Sequence, residues 1–309
     1  MCVYYTPHYP TFQGVNDIYM KKKTIFSGTA TALITPFKHG KIDYTALGGI
    51  IEMQIASGID ALVIGGTTGE SATLSDYERD KLYSFSVEAI AGRVPLILGT
   101  GSNDTKKAVR YTKRAEAIGA DAVLSVTPYY NKGTENGIIL HYQKIANSTN
   151  LPIILYNVPS RTSVNLSIEA LKALVEEENI VAIKEASDSS DRLVELSSLS
   201  DKLTLYAGND TQIYTTLSLG GMGVISVLSN PCPCEVLAIT NAFWRGDGDG
   251  ALAMQRAILP KTRVLFSQTN PTPVKYAMHL LGYCEPDVRL PLSLPTEKTQ
   301  EIIKSTFKK

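Results

Sequence analysis

Eight short apolar runs recur along this chain at intervals of about thirty residues, with helix-length stretches between them. The runs are Thr29–Thr35, Ala61–Ile64, Pro95–Leu98, Ala122–Val126, Pro152–Leu155, Ile180–Ile183, Leu203–Tyr206 and Gly223–Val227. Their aliphatic and β-branched residues follow one another with little polar alternation. A strand covered on both faces needs such a run. The stretches between them carry a helical period. Leu47, Ile50, Ile51 and Ile55 share one face of a helix predicted over Tyr44–Ser57. Ser75 with Glu78 three residues on forms a capping-box signature for a helix over Ser75–Ala91. Asp104–Ile118 and Ser167–Glu177 read alike. The pattern predicts an α/β fold, a (β/α)8 TIM barrel closing near Val227. An open doubly wound sheet is the alternative, but no Gly-x-Gly-x-x-Gly opens a helix after the first run.

The barrel is expected over residues 23–245. Residues 1–22 read as an N-terminal extension without clear period, loosely ordered, with Met20 as an alternative start. Residues 246–309 read as a small C-terminal helical region, within a stretch punctuated by Pro260, Pro271, Pro273 and Pro291. Thirty basic and thirty acidic residues cancel. That argues against a nucleic-acid or membrane-surface partner. The longest apolar runs are strand-length, so no transmembrane helix is expected. Cys2, Cys232, Cys234 and Cys284 make no disulfide framework, which suits a reducing cytosol. Cys232-Pro-Cys234 has no second pair to complete a metal site. His8, His39, His141 and His279 show no paired ligand spacing, so neither a metal nor a cofactor is expected.

In such a barrel the chemistry sits at the carboxyl ends of the strands. The sixth run delivers Lys184 there. Burying an ammonium is costly unless it is paired or loses its proton. A lysine that loses its proton easily can form a Schiff base with a carbonyl substrate. Alternatively, Lys184 caps the strand and pairs with Glu185. Gly65-Gly66-Thr67-Thr68-Gly69-Glu70 offers backbone amides and two hydroxyls that suit a carboxylate, or it is a turn closing a βα unit. Tyr156 ends the neighbouring fifth run, as a proton shuttle or as a rim aromatic. Arg161 grips a carboxylate or makes a surface ion pair. Tyr129-Tyr130 is a packing pair or an interface patch.

Five motifs in order carry a resemblance: Gly-Gly-Thr-Thr-Gly-Glu (65–70), Val-Thr-Pro-Tyr-Tyr-Asn (126–131), Leu-Tyr-Asn-Val-Pro-Ser-Arg-Thr (155–162), Ile-Lys-Glu-Ala (183–186) and Gly-Gly-Met-Gly-Val-Ile-Ser-Val (220–227). From about Ile25 to the C-terminus the chain resembles the dihydrodipicolinate synthase family of pyruvate-dependent class I aldolases. The resemblance implies that pyruvate and aspartate semialdehyde are condensed to 4-hydroxy-tetrahydrodipicolinate for lysine synthesis. It implies Lys184 as the Schiff-base lysine, and Thr67 and Thr68 as holders of the pyruvate carboxylate. Tyr156, Thr68 and a neighbouring subunit's Tyr130 would form the proton relay. Arg161 would bind the aldehyde substrate's carboxylate, and Gly208 and Ile225 would line the pocket through backbone groups. A cytoplasmic homotetramer, a dimer of tight dimers, follows from the same resemblance. Within the class the rival is a sialic acid or keto-sugar-acid lyase; outside it, a non-catalytic metabolite sensor. Arg161 in Ser-Arg-Thr, and Thr rather than Ser at position 67, favour the synthase over the lyase. Family members inhibited by lysine carry histidines after the position of Ala72 and a glutamate after that of Asn103. Here Asp76, Arg79 and Lys107 stand there, so weak or absent lysine inhibition is expected.

Overall fold

β1 (Gly28–Ala32), β2 (Ala61–Ile64), β3 (Leu96–Gly99) and β4 (Ala122–Val126) are joined by β5 (Ile153–Asn157), β6 (Ile180–Glu185), β7 (Thr204–Ala207) and β8 (Gly223–Ser226). All pair in parallel, each with its sequence neighbours, and β1 pairs with both β2 and β8, so the sheet is a closed barrel. The computed structural model describes residues 24–307, and the extension expected over residues 1–22 lies outside the described residues. Closure leaves no edge of the barrel sheet unpaired. The period of two then sorts the side chains. Ile154 and Tyr156 of β5 join Ala30, Ala61, Ala122 and Ile225 in the barrel interior. Ile153 and Leu155 belong to the larger core between sheet and helices. Phe26 and Tyr206 stack at 4.3 Å in the interior cluster, and the Tyr206 hydroxyl donates to the Phe26 carbonyl at 2.7 Å.

One principal helix follows each strand: α1 (Tyr44–Ala56), α2 (Asp76–Ile90), α3 (Thr105–Ile118), α4 (Glu135–Ala146), α5 (Ile168–Leu174), α6 (Ser190–Ser197), α7 (Ile213–Ser218) and α8 (Pro233–Trp244). The capping box at α2 forms as predicted. Ser75 Oγ accepts from the Glu78 N–H at 3.2 Å, and Glu78 Oε2 accepts from the Ser75 N–H at 3.0 Å. α9 (Gly248–Leu265), α10 (Thr272–Leu280) and α11 (Glu297–Phe307) follow. Among the described residues no helix is long and apolar enough to cross a membrane.

Most boundaries shift by one or two residues from the apolar pattern, and two shift by three. The first run was read to Thr35, but β1 ends at Ala32. Beyond it the Ile34 N–H donates to Asn230 Oδ1 at 3.0 Å and Thr35 Oγ1 donates to the Gly69 carbonyl at 2.8 Å. Those bonds draw an apolar segment off the sheet into the buried loops above it. The helix predicted over Ser167–Glu177 has Ser167 as its cap and ends at Leu174. Pairing in the sheet also sets the register that matters most below: Tyr156 of β5 lies directly across from Lys184 of β6.

Candidate active site

Lys184 is the next-to-last residue of β6 and 4% exposed. Its Nζ sits 4.5 Å from the centroid of the Tyr156 ring. Burial pulls its pKa from 10.5 down to about 8; the nearby Asp210 carboxylate opposes that fall and the Arg161 guanidinium adds to it. A useful fraction of the amine is therefore neutral near pH 7.

The pairing of Lys184 with Glu185 does not form. Adjacent residues of a strand face opposite ways. The Glu185 carboxylate accepts from Asn157 Nδ2 at 2.9 and 3.0 Å and from the Ser187 N–H at 2.9 Å, with Arg192 Nε 3.5 Å away. It is saturated without the lysine.

The buried carboxylate whose charge Lys184 feels is Asp210, which follows β7 and has no sequence signature of that role. It accepts from Ser226 Oγ at 2.5 Å and from the N–H groups of Val227 and Leu228 at 3.0 Å each. Burial still pushes its pKa up, against the pull of those bonds and of Lys184. The bonds fix the carboxylate in place, so it acts as a stationary negative charge beside the amine.

Tyr156 is 7% exposed. Burial raises its pKa, partly offset by Arg161 and by a hydrogen bond with the Thr67 side chain. The phenol therefore keeps its proton and can give it up only to a strong acceptor. Thr68 Oγ1 accepts from Asn270 Nδ2 at 3.0 Å, and Arg161 Nη2 donates to the Asn270 carbonyl at 2.9 Å. Asn270 thus links the Gly-rich turn to the arginine. No local pattern marked it, because it lies 202 residues from Thr68 in the chain. Its Oδ1 is buried without a partner.

These groups open on one cavity of about 320 Å³, lined among others by Thr68, Tyr156, Arg161, Lys184, Gly208 and Asn270. Gly208 must be glycine: a Cβ there would stand 2.6 Å from both the Ala186 Cβ and the Glu185 carbonyl oxygen. Thr67 reaches the site through Tyr156. Ile225 is fully buried in the barrel interior and is not among the lining residues. Tyr130 is 88% exposed with φ at 70° and does not line this chain's cavity. Among the described residues no three His, Cys, Asp or Glu side chains gather as a metal ion would need. A buried amine of lowered proton affinity, a protonated phenol across from it, hydroxyls and a guanidinium suit covalent chemistry on a small keto acid.

The profile of the dihydrodipicolinate synthetase family matches residues 25–309. The 4-hydroxy-tetrahydrodipicolinate synthase of Clostridium novyi is 45% identical over 285 residues, covering 92% of this chain and 96% of its own. The crystal structure of dihydrodipicolinate synthase from Aquifex aeolicus superposes with a TM-score of 0.90 at 42% identity, covering 92% of this chain and 97% of its own. That of the Acinetobacter baumannii synthase, complexed with pyruvate, superposes with a TM-score of 0.90 at 38% identity, covering 92% and 98%.

Proposed function

This chain belongs to the dihydrodipicolinate synthetase family, and from that premise we propose that it condenses pyruvate with L-aspartate 4-semialdehyde on Lys184. The product is 4-hydroxy-tetrahydrodipicolinate, on the diaminopimelate route to lysine. The observation that carries the residue assignment is the buried Lys184 amine, its pKa near 8, across the sheet from Tyr156.

The neutral amine attacks the ketone carbon of pyruvate. The carbinolamine loses water to give an iminium, which draws electrons from the adjacent methyl group. A methyl proton leaves and an enamine forms. The enamine carbon then bonds to the aldehyde carbon of the second substrate, whose oxygen takes up a proton. The second substrate's amine attacks the iminium carbon, closes the ring and releases Lys184. Tyr156 moves protons at these steps with the hydroxyls of the Thr67–Thr68 turn. The resemblance gives that relay to Thr68, but the hydroxyl bonded to Tyr156 is that of Thr67, while Thr68 Oγ1 accepts from Asn270, so we assign the relay to Thr67. The same turn holds the pyruvate carboxylate, and Arg161 holds that of the semialdehyde. Gly208 lines the cavity through its backbone, and Ile225 supports it from the barrel interior. A coupled assay with pyruvate and aspartate semialdehyde should show turnover, and one with a sialic acid should not. The reverse result would move the chain to the keto-sugar-acid lyases.

Tyr130 completes the relay of a second copy in this reading, and the working form is a cytoplasmic homotetramer. What supports it is an aromatic side chain held out at positive φ with no cover from its own chain. Sedimentation at assay concentration should read four chains; a monomer with full activity would remove Tyr130 from the site.

Lysine should inhibit weakly or not at all. Arg79 is 7% exposed, with its guanidinium 4.4 Å from the centroid of the Tyr111 ring and donating to the Ser71 carbonyl at 2.7 Å. Lys107 and Arg110 flank the same ring, each 5.5 Å from its centroid. The Asp76 carboxylate lies among them and is already engaged, accepting from Arg110 Nη2 at 2.7 Å and from the Tyr111 hydroxyl at 2.6 Å. Three cations outweigh one occupied acid, so an approaching lysine ammonium is repelled. Half-inhibition at sub-millimolar lysine in the coupled assay would refute this.

A further inference from the structure

We propose that the buried Glu70–Lys275 ion pair is the positioning element of the keto-acid site, holding the Thr67–Thr68 turn against α10. The inference rests on the Schiff-base reading above and adds to it residues that do not touch substrate: neither Glu70 nor Lys275 lines the cavity.

Glu70 closes the Gly-rich turn at φ 53°, a left-handed conformation that a residue with a side chain keeps only when its surroundings hold it there. Its Oε1 accepts from Lys275 Nζ at 2.7 Å and its Oε2 from the Arg289 N–H at 3.0 Å. The two side chains are 1% and 0% exposed. The Lys275 ammonium also sits 4.1 Å from the centroid of the Phe37 ring.

The turn is stiff enough to transmit this anchor. The Glu70 N–H donates to the Thr67 carbonyl at 3.0 Å and the Gly69 N–H to the Gly66 carbonyl at 3.1 Å. The same C-terminal segment touches the turn a second time, through Asn270 on Thr68 Oγ1 at 3.0 Å. One fastening sets the turn's backbone and the other aims a hydroxyl. Loosening the first lets the second wander, and a displacement of an ångström at a reacting site costs up to ~10²-fold in rate.

A buried ion pair with a purely structural role can be replaced by neutral side chains of similar shape without loss. The deciding variant is therefore Glu70→Gln/Lys275→Met, which removes both charges and strands neither. Pyruvate is titrated into borohydride trapping of Lys184, and the melting temperature is read alongside. The expected result is a melting temperature within a few degrees of wild type and a half-maximal pyruvate concentration raised roughly 10-fold or more. A folded double variant that traps at the wild-type pyruvate concentration overturns the proposal. If the double variant shows no cooperative melt, Glu70→Gln alone gives the same readout with one acceptor for Lys275 retained; unchanged pyruvate dependence there overturns it too. Wild-type protein that fails to trap at all sinks the Schiff-base reading instead.

Discussion

A Lys184→Met variant should show no pyruvate-dependent mass gain under borohydride and no measurable turnover, yet should melt above the wild type at pH 7. Loss of activity follows from the missing nucleophile. The gain in stability follows from the cost of burying the amine. In the folded chain Lys184 gives up its proton near pH 8, and in the unfolded chain at the ordinary value of 10.5. Below pH 8 both states hold the proton, and folding bears the whole penalty. Between the two values the unfolded state binds more protons, so wild-type stability climbs with pH; above 10.5 the penalty has gone. The interval corresponds to roughly 3 kcal/mol at pH 7, and methionine, near the same length and uncharged, removes it. Calorimetry at pH 7 and at pH 10 separates this from ordinary repacking: the advantage of the variant should shrink at the higher pH. A variant less stable than wild type at pH 7 would mean that Lys184 is held charged and paired. The same titration governs wild-type kinetics. kcat/KM for pyruvate should rise with pH through about 8 as the neutral amine fills.

The architecture was legible because most barrel strands, covered on both faces, keep an apolar run, as in Ile180–Ile183, whereas β1 alternates threonine with alanine and satisfies its buried hydroxyls by hydrogen bonds. Lys184 was legible because it violates that rule. Its partner was not. From spacing alone Glu185 was an available counter-ion, and only the strand's two-residue alternation, applied to a closed barrel, turns Glu185 outward to Asn157 and Arg192. Asp210 appeared in the sequence merely as a strand ending, since its significance comes from the N–H groups of Val227 and Leu228 one strand further on. Asn270 and Lys275 had no signature at all. They belong to the α10 region, and what they hold, Thr68 and Glu70, is more than 200 residues away, at separations of 202 and 205. Helix α4 lacks a sharp periodic signature for a local reason. Ile138, Ile139 and Leu140 run together, and Leu140 is 50% exposed, so the apolar face has no clean edge. Local periodicity builds the barrel here, while the site's supports come from contacts that periodicity does not encode.

Tyr156→Phe should lower turnover by ~10²–10⁴-fold while leaving the fold and the environment of Lys184 in place. The substitution is narrow. The ring that lies 4.5 Å from Lys184 Nζ stays, and with it the packing in the barrel interior. Only the hydroxyl goes, together with its bond to Thr67. Burial raises the phenol's pKa, so at neutral pH it is a proton donor whose conjugate base is a strong acceptor. Such a group suits the carbinolamine, whose oxygen must leave as water, and the methyl carbon, which must lose a proton. Phenylalanine can do neither, and Thr67 alone has no acid of matched strength behind it. Two measurements divide the steps: borohydride trapping in the first turnovers reads iminium formation, and loss of methyl protons from pyruvate in deuterated water reads enamine formation. Both should slow by comparable factors if one hydroxyl serves both steps. A variant that turns over within threefold of wild type would make Tyr156 a packing residue. The proton traffic would then have to run through the Thr67 hydroxyl and solvent in the cavity.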